Sequence, residues 1–170
     1  LRRLYGPAAY KRVRAARFAV VGVGGVGSWA AEALVRSGVA SVTLIDMDHV
    51  AESNVNRQIQ ALSSTLGQAK VQALRERMAL IHPGCQVITI EEFVDEDNVA
   101  TWLGAAPLDG VLDCCDQVRA KAALAAWGRA HGVPVVAVGA AGGKVLPQQV
   151  EVADLAEVTH DPLLALSLIH

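Results

Sequence analysis

The segment Gly22-Val-Gly24-Gly25-Val-Gly27 constrains the fold of this chain more than any other feature of its sequence. It follows directly on an apolar run at residues 18–22 and opens a segment of helical period at residues 25–37. Glycines at this spacing permit a tight turn between a strand and a helix, and they let a phosphate approach the backbone N–H groups. The segment therefore predicts a βα unit that binds a phosphate, with a tight turn that binds nothing as the simpler alternative.

Short apolar runs and segments of helical period continue to alternate beyond this unit, which is the pattern of a parallel sheet with crossover helices. Further strands are predicted at residues 41–46, 86–90, 110–114 and 133–138, and further helices at residues 67–81, 97–103 and 118–131. We therefore predict an α/β fold with a doubly wound, mostly parallel sheet of Rossmann-like type. After residue 140 the alternation Gln149-Val-Glu-Val152 predicts a further strand, added at the edge of the sheet.

Bulk composition is that of a globular protein and excludes several other classes. A single domain is expected from 170 residues that are 52% hydrophobic with a net charge of −2, which fits neither a disordered tail nor a strongly basic nucleic-acid-binding module. The three cysteines have no C-x-x-C spacing, so neither a zinc site nor a disulfide framework is indicated and a reducing, cytoplasmic compartment is expected. No apolar run reaches the ~18 residues that a membrane span requires.

The two ends of the chain carry features of their own. Six cations precede the first acidic residue: Arg2, Arg3, Lys11, Arg12, Arg14 and Arg17. We predict a basic helical arm over residues 1–16, which is either a solvated helix face or a surface for phosphates or for a partner. At the other end, the apolar run at residues 162–169 would be awkward as a free tail, so we expect the protein to continue past His170.

Two acids, Asp46 and Asp48, follow the second predicted strand, at the edge of the sheet where doubly wound folds bind ligands. Asp46 lies roughly 20 residues beyond the glycine segment, where a carboxylate can accept hydrogen bonds from ribose hydroxyls. This pairing is shared by NAD enzymes and by ATP-dependent adenylating enzymes. By itself it leaves both open.

A polar run and a lysine favour a triphosphate over a dinucleotide. The run is Ser53-Asn54-Val-Asn56-Arg57-Gln58, and Lys70 follows it. The glycine segment already serves the one pyrophosphate of a dinucleotide, whereas a triphosphate needs more positive charge, such as a bidentate clamp from Arg57 and a point charge from Lys70. Both residues could instead be ordinary surface cations.

The fourth predicted strand ends in Asp113-Cys-Cys-Asp116, which adds carboxylates at the same edge of the sheet. A carboxylate at a strand end can hold Mg²⁺ against phosphate oxygens, and we assign Asp116 to the metal and Asp113 to a structural role. Cys114 and Cys115 are expected to be small wall residues rather than nucleophiles. The five histidines are scattered and none adjoins a candidate nucleophile, so a Ser-His-Asp mechanism is not supported.

Taken in order, these motifs resemble those of the ubiquitin-activating-enzyme-like superfamily of adenylating proteins. The resemblance implies that ATP and Mg²⁺ bind, with Asp46 on the ribose, the cations on the phosphates and Asp116 on the metal. The nucleotide-binding set that it implies is Gly22, Gly24, Gly25, Gly27, Ser28, Asp46, Asp48, Asn54, Arg57, Gln58 and Lys70. It also implies a homodimer in which Arg3 reaches the nucleotide pocket of the partner and joins Arg57, Lys70 and Asp116 as a catalytic residue.

Within that superfamily, three further stretches resemble the tRNA threonylcarbamoyladenosine dehydratases: residues 3–6, 26–33 and 154–163. That resemblance implies ATP-dependent cyclisation of threonylcarbamoyladenosine in tRNA through an adenylated carboxylate, with sulfur-transfer proteins as possible further partners. Ring closure within one side chain needs no enzyme thiolate, because the attacking group is already beside the activated carbon. Residues 142–148 depart from the family's pattern, which has Asp and Thr flanking the proline.

Besides a nucleotide-sensing scaffold without turnover, two other functions stay open at this stage. One is adenylation of the C-terminus of a ubiquitin-like sulfur-carrier protein, although the related activators carry C-x-x-C pairs and a later catalytic cysteine, and no cysteine follows Cys115 here. The other is an NAD-linked oxidoreductase, which would rest on the glycine segment and Asp46 alone.

Overall fold

A computed structural model describes residues 1–158 and 161–167 of the chain, and its central feature is a parallel sheet. The strands are β1 Arg17–Val21, β2 Ser41–Ile45, β3 Gln86–Ile90, β4 Gly110–Asp113 and β5 Val135–Ala137. They lie in the order β3-β2-β1-β4-β5, and every neighbouring pair is parallel. The order reverses between β1 and β4, which is the topological switch point where doubly wound folds bind ligands. The predicted α/β fold is confirmed.

Helices connect the strands and cover both faces of the sheet. They are α1 Arg2–Ala15, α2 Gly27–Ser37, α3 Lys70–Ile81, α4 Val99–Leu103, α5 Val118–His131 and α6 Pro162–Ser167. Helices α2 and α3 begin two or three residues later than the periodicity predicts, because the glycines before them form turns. Gly67, for example, has a φ of 81°, in the left-handed region that favours glycine.

Two apolar clusters, one on each face of the sheet, form the core. Val20 and Leu44 pack with α2 and α3 on one face, and Ala19, Val21 and Ile45 pack with α4 and α5 on the other. Successive side chains of a strand point to opposite faces, so a strand covered on both faces is mainly apolar. This explains why apolar residues predominate in the central strands, although β2 also contains the buried Ser41 and Thr43.

The strand expected at residues 149–152 is not formed, and that prediction was wrong. A short 3-10 turn, Pro147–Gln149, occupies its start, and the Val150 N–H donates back to the Pro147 carbonyl at 3.3 Å. Val150 and Val152 are 79% and 98% exposed, so the alternation has no apolar surface to cover. Alternation in sequence stabilises a strand only when a neighbouring edge and a buried face are available.

Helix α1 is broken near its start and anchored near its end. Gly6 has a φ of 78° and Pro7 follows it, which separates the first residues from the rest of the helix. Arg14 Nη1 donates to the Gly38 carbonyl at 2.7 Å and lies 2.9 Å from His82 Nε2. These contacts fasten α1 to the far ends of α2 and α3. Within the described residues, no helix has both the length and the apolar character needed to cross a membrane.

Candidate functional site

A cleft of about 670 Å³ opens at the carboxyl ends of the strands, beside the switch point. Most of the residues predicted for the site line it: Gly22, Gly24, Gly25, Asp46, Asp48, Asn54, Arg57, Gln58, Lys70 and Asp116. They come from loops after three different strands, yet the parallel topology brings them to one place. Gly27, Ser28 and Arg3 lie outside the lining; the first two are buried and Arg3 is exposed on α1.

The glycine segment is shaped by close backbone packing. A Cβ at Gly27 would lie 1.8 Å from the Gly22 carbonyl oxygen, and one at Gly22 would lie 2.9 Å from the Cys114 backbone. At Gly25, by contrast, the nearest atoms are those of the Arg57 side chain at 3.3 Å. Helix α2 starts here without a side-chain cap from the described residues. The Ser28 N–H already donates to the Gly24 carbonyl at 3.1 Å, so an anion in the cleft would be bound by the other N–H groups of the glycine segment.

The residue between the first glycines, Val23, is held from both sides. Asp46 Oδ2 accepts a hydrogen bond from the Val23 N–H at 2.7 Å, and Gln60 Nε2 donates to the Val23 carbonyl at 2.9 Å. Gln60 is 1% exposed and was missed by the sequence analysis. The available signal was a glutamine placed between two apolar residues, just beyond the polar run.

Asp46 combines burial with a polar role. Its Oδ1 accepts from the Asp48 N–H at 2.9 Å, so both carboxylate oxygens already bind backbone amides. Burial raises the pKa of the Asp46 carboxyl, and the two backbone hydrogen bonds together with the Lys70 charge offset only part of that rise. Because a carboxylate has about four lone-pair sites, Asp46 can still accept hydrogen bonds from a ligand in the cleft.

Lys70 is a buried cation with one carboxylate partner. Its Nζ lies 2.6 Å from Asp48 Oδ2, and its side chain is 8% exposed compared with 59% for Asp48. The Lys70 N–H also donates to the Asp48 carbonyl at 2.9 Å, which fixes the first residue of α3 to the end of β2. Asp48 therefore orients the ammonium at the wall of the cleft. A surface lysine would not be held in this way.

Arg57 lies across the glycine segment. Its Nη1 donates to the Ser53 carbonyl at 2.8 Å and to Asn56 Oδ1 at 3.0 Å, which leaves the other guanidinium donors available to a ligand. Trp29 Nε1, on α2, donates to the Arg57 carbonyl at 2.9 Å. Ser28 Oγ accepts from the Ile59 N–H at 3.4 Å, so Ser28 joins α2 to this loop from a buried position.

Two acids at the end of β4 have different environments. Asp116 is exposed and lines the cleft, whereas Asp113 is fully buried and pairs with Lys121 Nζ at 3.1 Å. This burial and pairing agree with the structural role predicted for Asp113, which stays a prediction. Lys121 was missed, because a lysine among the alanines of a helical segment is usually a solvated residue.

The two cysteines are walls of the cleft, as predicted. Burial and the nearby Asp113 carboxylate raise the pKa of Cys114 to about 11 and that of Cys115 to about 12. Both thiols therefore stay protonated at neutral pH, and a thiolate nucleophile is not available from them.

The sequence of the chain is similar to those of known proteins over most of its length. The model of the ThiF family matches residues 1–160. The chain belongs to the ThiF family. This family member is 48% identical over 163 residues to the tRNA threonylcarbamoyladenosine dehydratase of Escherichia coli K12, covering 96% of the chain and 60% of that relative. It is 36% identical over 120 residues to the molybdopterin-synthase adenylyltransferase of the same organism, covering 71% of the chain and 47% of that relative.

Solved structures give the same picture of this ThiF-family fold. A crystal structure of the E. coli tRNA N6-threonylcarbamoyladenosine dehydratase in complex with ATP has a TM-score of 0.92 at 48% identity, covering 96% of the chain and 67% of that structure. A structure of the same dehydratase in complex with AMP has an equal TM-score. The chain spans 60% of the length of the curated dehydratase.

The side chains of the cleft could bind a metal ion only if a bound ligand supplied further oxygen atoms. Among residues 1–158 and 161–167, no three His, Cys, Asp or Glu side chains converge as a metal site. Asp116 is a cleft carboxylate with no protein partner in that part of the chain, and Mg²⁺ prefers one or two carboxylates completed by phosphate oxygens and water. The residues present therefore suit a magnesium ion that arrives with a nucleotide.

Proposed function

We propose that this chain is the nucleotide-binding part of an enzyme that uses ATP to dehydrate and cyclise threonylcarbamoyladenosine in tRNA. One observation carries the proposal: a chain that matches the E. coli dehydratase over 96% of its length brings a glycine segment, two cations and an acid into one cleft. Residues 1–170 would form a single adenylating domain with a basic arm at residues 1–16. The protein would act in the cytoplasm, where its tRNA substrate and any sulfur-transfer partners are found.

ATP is the nucleotide that the chemistry of the cleft supports. The glycine segment at the start of α2 suits a phosphate, and Arg57 and Lys70 supply the charge that the rest of a triphosphate requires. Asp46 would accept hydrogen bonds from the ribose. The related dehydratase crystallised with ATP and with AMP supports the same assignment.

Asp116 would hold Mg²⁺ against the phosphates. When bound, the ion would withdraw charge from the phosphate oxygens and favour departure of pyrophosphate. Gly22, Gly24, Gly25, Asn54 and Gln58 line the same cleft and would complete the binding of the nucleotide.

The reaction would proceed in two substitutions. The substrate carboxylate attacks the α-phosphorus, and the oxygen bridging to the β-phosphorus leaves with pyrophosphate, whose charge Arg57 and Lys70 balance. An atom of the same threonylcarbamoyl side chain then attacks the activated carbonyl carbon, loses its proton and releases AMP. The raised pKa of Cys114 and Cys115 agrees with a route that uses no thiolate.

A direct test incubates the full-length protein with ATP, Mg²⁺ and tRNA that carries threonylcarbamoyladenosine. The expected product is a nucleoside lighter by one water, found by mass spectrometry, with AMP and pyrophosphate released in equal amounts. NAD in place of ATP is the matched control and should give neither product. An unchanged nucleoside from a preparation that binds ATP would refute the proposal.

A second candidate is adenylation of the C-terminus of a sulfur-carrier protein. The observation that favours it is the 36% identity to a molybdopterin-synthase adenylyltransferase, although that match covers 71% of this chain. Pyrophosphate exchange that depends on such a carrier, and that modified tRNA does not stimulate, would favour this candidate over the dehydratase.

A further inference from the structure

Lys121 is a fully buried cation beneath the cleft, outside the set of residues assigned above. Its side chain is 1% exposed, and its ammonium donates to Asp113 Oδ1 at 3.1 Å and to the Val138 carbonyl at 2.8 Å. A buried ion pair seldom adds net stability, because both ions lose their hydration. Its presence here therefore calls for a role in positioning.

The Asp113 carboxylate uses one oxygen for several donors. Besides Lys121, its Oδ1 accepts from the Cys115 N–H at 3.3 Å and from the Cys115 thiol at 2.9 Å. Its Oδ2 is buried and has no partner among the described residues. The carboxylate is thus oriented towards the loop after β4 at the cost of leaving its other oxygen unsatisfied.

These contacts join the ends of two neighbouring strands. Asp113 is the last residue of β4, and Val138 directly follows β5; the Val138 N–H also donates to the Asp113 carbonyl at 2.8 Å. From these two points the chain enters the segments that line the far wall of the cleft, residues 114–117 and 139–142. One ammonium therefore fixes where both segments begin.

We propose that Lys121 is a positioning residue whose ammonium, through Asp113 and Val138, holds the β4 and β5 exits so that Asp116 meets the metal ion of the bound nucleotide. The role of Asp116 in this statement rests on the proposed function. The hold that Lys121 has on the loop after β4 is independent of that proposal, and it can be measured in the absence of nucleotide.

The first experiment measures how accessible the Cys115 thiol is in Lys121→Met. Each cysteine is labelled with a maleimide and quantified by peptide mass spectrometry, with the buried Cys85 as internal reference. Lys121 lowers the pKa of Cys115, so its removal alone would slow labelling through the thiolate. Release of the loop should outweigh this and raise the Cys115 rate about tenfold relative to Cys85. An unchanged or slower Cys115 rate would overturn the proposal.

The second experiment measures how the protein binds Mg²⁺ once ATP is bound, by calorimetry. In Lys121→Met the midpoint of the Mg²⁺ titration should rise about tenfold, as is usual when a group behind a metal ligand is lost, while ATP binding in EDTA changes little. Should Lys121→Met fold poorly, Asp113→Leu/Lys121→Met replaces the pair by apolar side chains, which is often neutral for stability, and should shift the midpoint in the same way.

Arg77→Met is the matched control. It breaks another ion pair, between α3 and α2, in which Arg77 Nε lies 2.6 Å from Glu32 Oε2; the Arg77 side chain is 35% exposed and that of Glu32 is 7% exposed. Both readouts should keep their wild-type values in this variant, and a Lys121→Met midpoint equal to that of Arg77→Met would overturn the proposal. If Asp116→Ala leaves the midpoint unchanged, the metal part of both proposals fails, and the labelling result alone then decides whether Lys121 holds the loop.

Discussion

At the scale of single residues, the cations of the cleft are held in place before any ligand arrives. Lys70 is buried against Asp48, and Arg57 is held by backbone and side-chain acceptors across the glycine segment. A pre-oriented charge loses little conformational entropy when a phosphate binds, and it stabilises charge that develops during reaction. The value of these residues therefore lies in their placement as much as in their charge.

Lys70→Ala should lower the rate of pyrophosphate release about 100- to 1000-fold, because one preorganised charge at the leaving group is lost. The measurement is single-turnover release of pyrophosphate at saturating ATP. Lys11→Ala, which removes an exposed cation of α1, is the control and should keep the wild-type rate. A Lys70→Ala rate within a few-fold of wild type would place the lysine outside the reaction.

Asp46→Asn should weaken ATP binding about tenfold and lower the free energy of unfolding by about 1 to 3 kcal/mol, because the amide Nδ2 cannot accept the hydrogen bond that one carboxylate oxygen accepts from a backbone N–H. The raised pKa of Asp46 sets how this loss varies with pH: the folded state disfavours the carboxylate, so wild-type stability falls as pH rises through the folded pKa, and the deficit of the variant shrinks. Urea denaturation at several pH values and calorimetry check the two effects separately. A deficit that grows as pH rises would contradict the raised pKa of Asp46.

At the scale of elements, the sequence predicts best the strands and helices that bury apolar residues, and the cleft residues that follow strand ends. Strand β3 and helix α5 have the predicted bounds, because apolar runs and helical period respond directly to burial. The cleft residues near strand ends were also predictable, since parallel strands present their carboxyl ends at one edge.

What escaped prediction depends on contacts between distant parts of the chain. Gln60 and Lys121 are polar residues inside apolar patterns, and their partners Val23 and Val138 lie 37 and 17 positions away. No local pattern reports such a contact. The strand expected at residues 149–152 failed for the related reason that alternation does not reveal whether a neighbouring edge is free.

Gly27→Ala tests the turn between β1 and α2. Its Cβ would lie 1.8 Å from the Gly22 carbonyl oxygen, so the backbone must move, and we expect a loss of at least about 2 kcal/mol in the free energy of unfolding. Gly142→Ala, where no atom of the described residues lies within 4 Å of the added carbon, should cost less than about 1 kcal/mol. Urea denaturation of both variants gives the comparison, and equal losses would contradict the close packing.

At the scale of the whole molecule, α1 connects the body of the fold to a possible second copy. Its end is fixed by Arg14, whereas its first residues, including Arg3, precede the break at Gly6 and are exposed away from the cleft of their own chain. We propose a homodimer in which Arg3 enters the nucleotide pocket of the partner, which would account for the exposure of these first residues.

Subunit mixing tests the homodimer. Arg3→Ala and Lys70→Ala each damage both pockets of their own dimer, but a mixed dimer contains one pocket with both residues intact. Mixing equal amounts of the two inactive variants should therefore restore about a quarter of wild-type activity, since half of the dimers are mixed and each has one sound pocket. Arg12→Ala mixed with Lys70→Ala is the control and should give half of wild-type activity with or without exchange, while exchange itself is measured by native mass spectrometry of the mixed dimers. No recovery despite exchange would mean that Arg3 serves its own chain or none.

The reversal of strand order between β1 and β4 separates the residues of the cleft into two groups along the chain. Asp46, Arg57 and Lys70 belong to the stretch before β4, and Asp116 with residues 139–142 belongs to the stretch from β4 onward. In the proposed function the earlier stretch would bind most of the nucleotide, and the later one would supply the metal ligand Asp116 and border the space left for the substrate. Substitutions in residues 139–142 should therefore change which substrate is accepted while leaving in place Asp46, Arg57 and Lys70, which are proposed to bind the nucleotide.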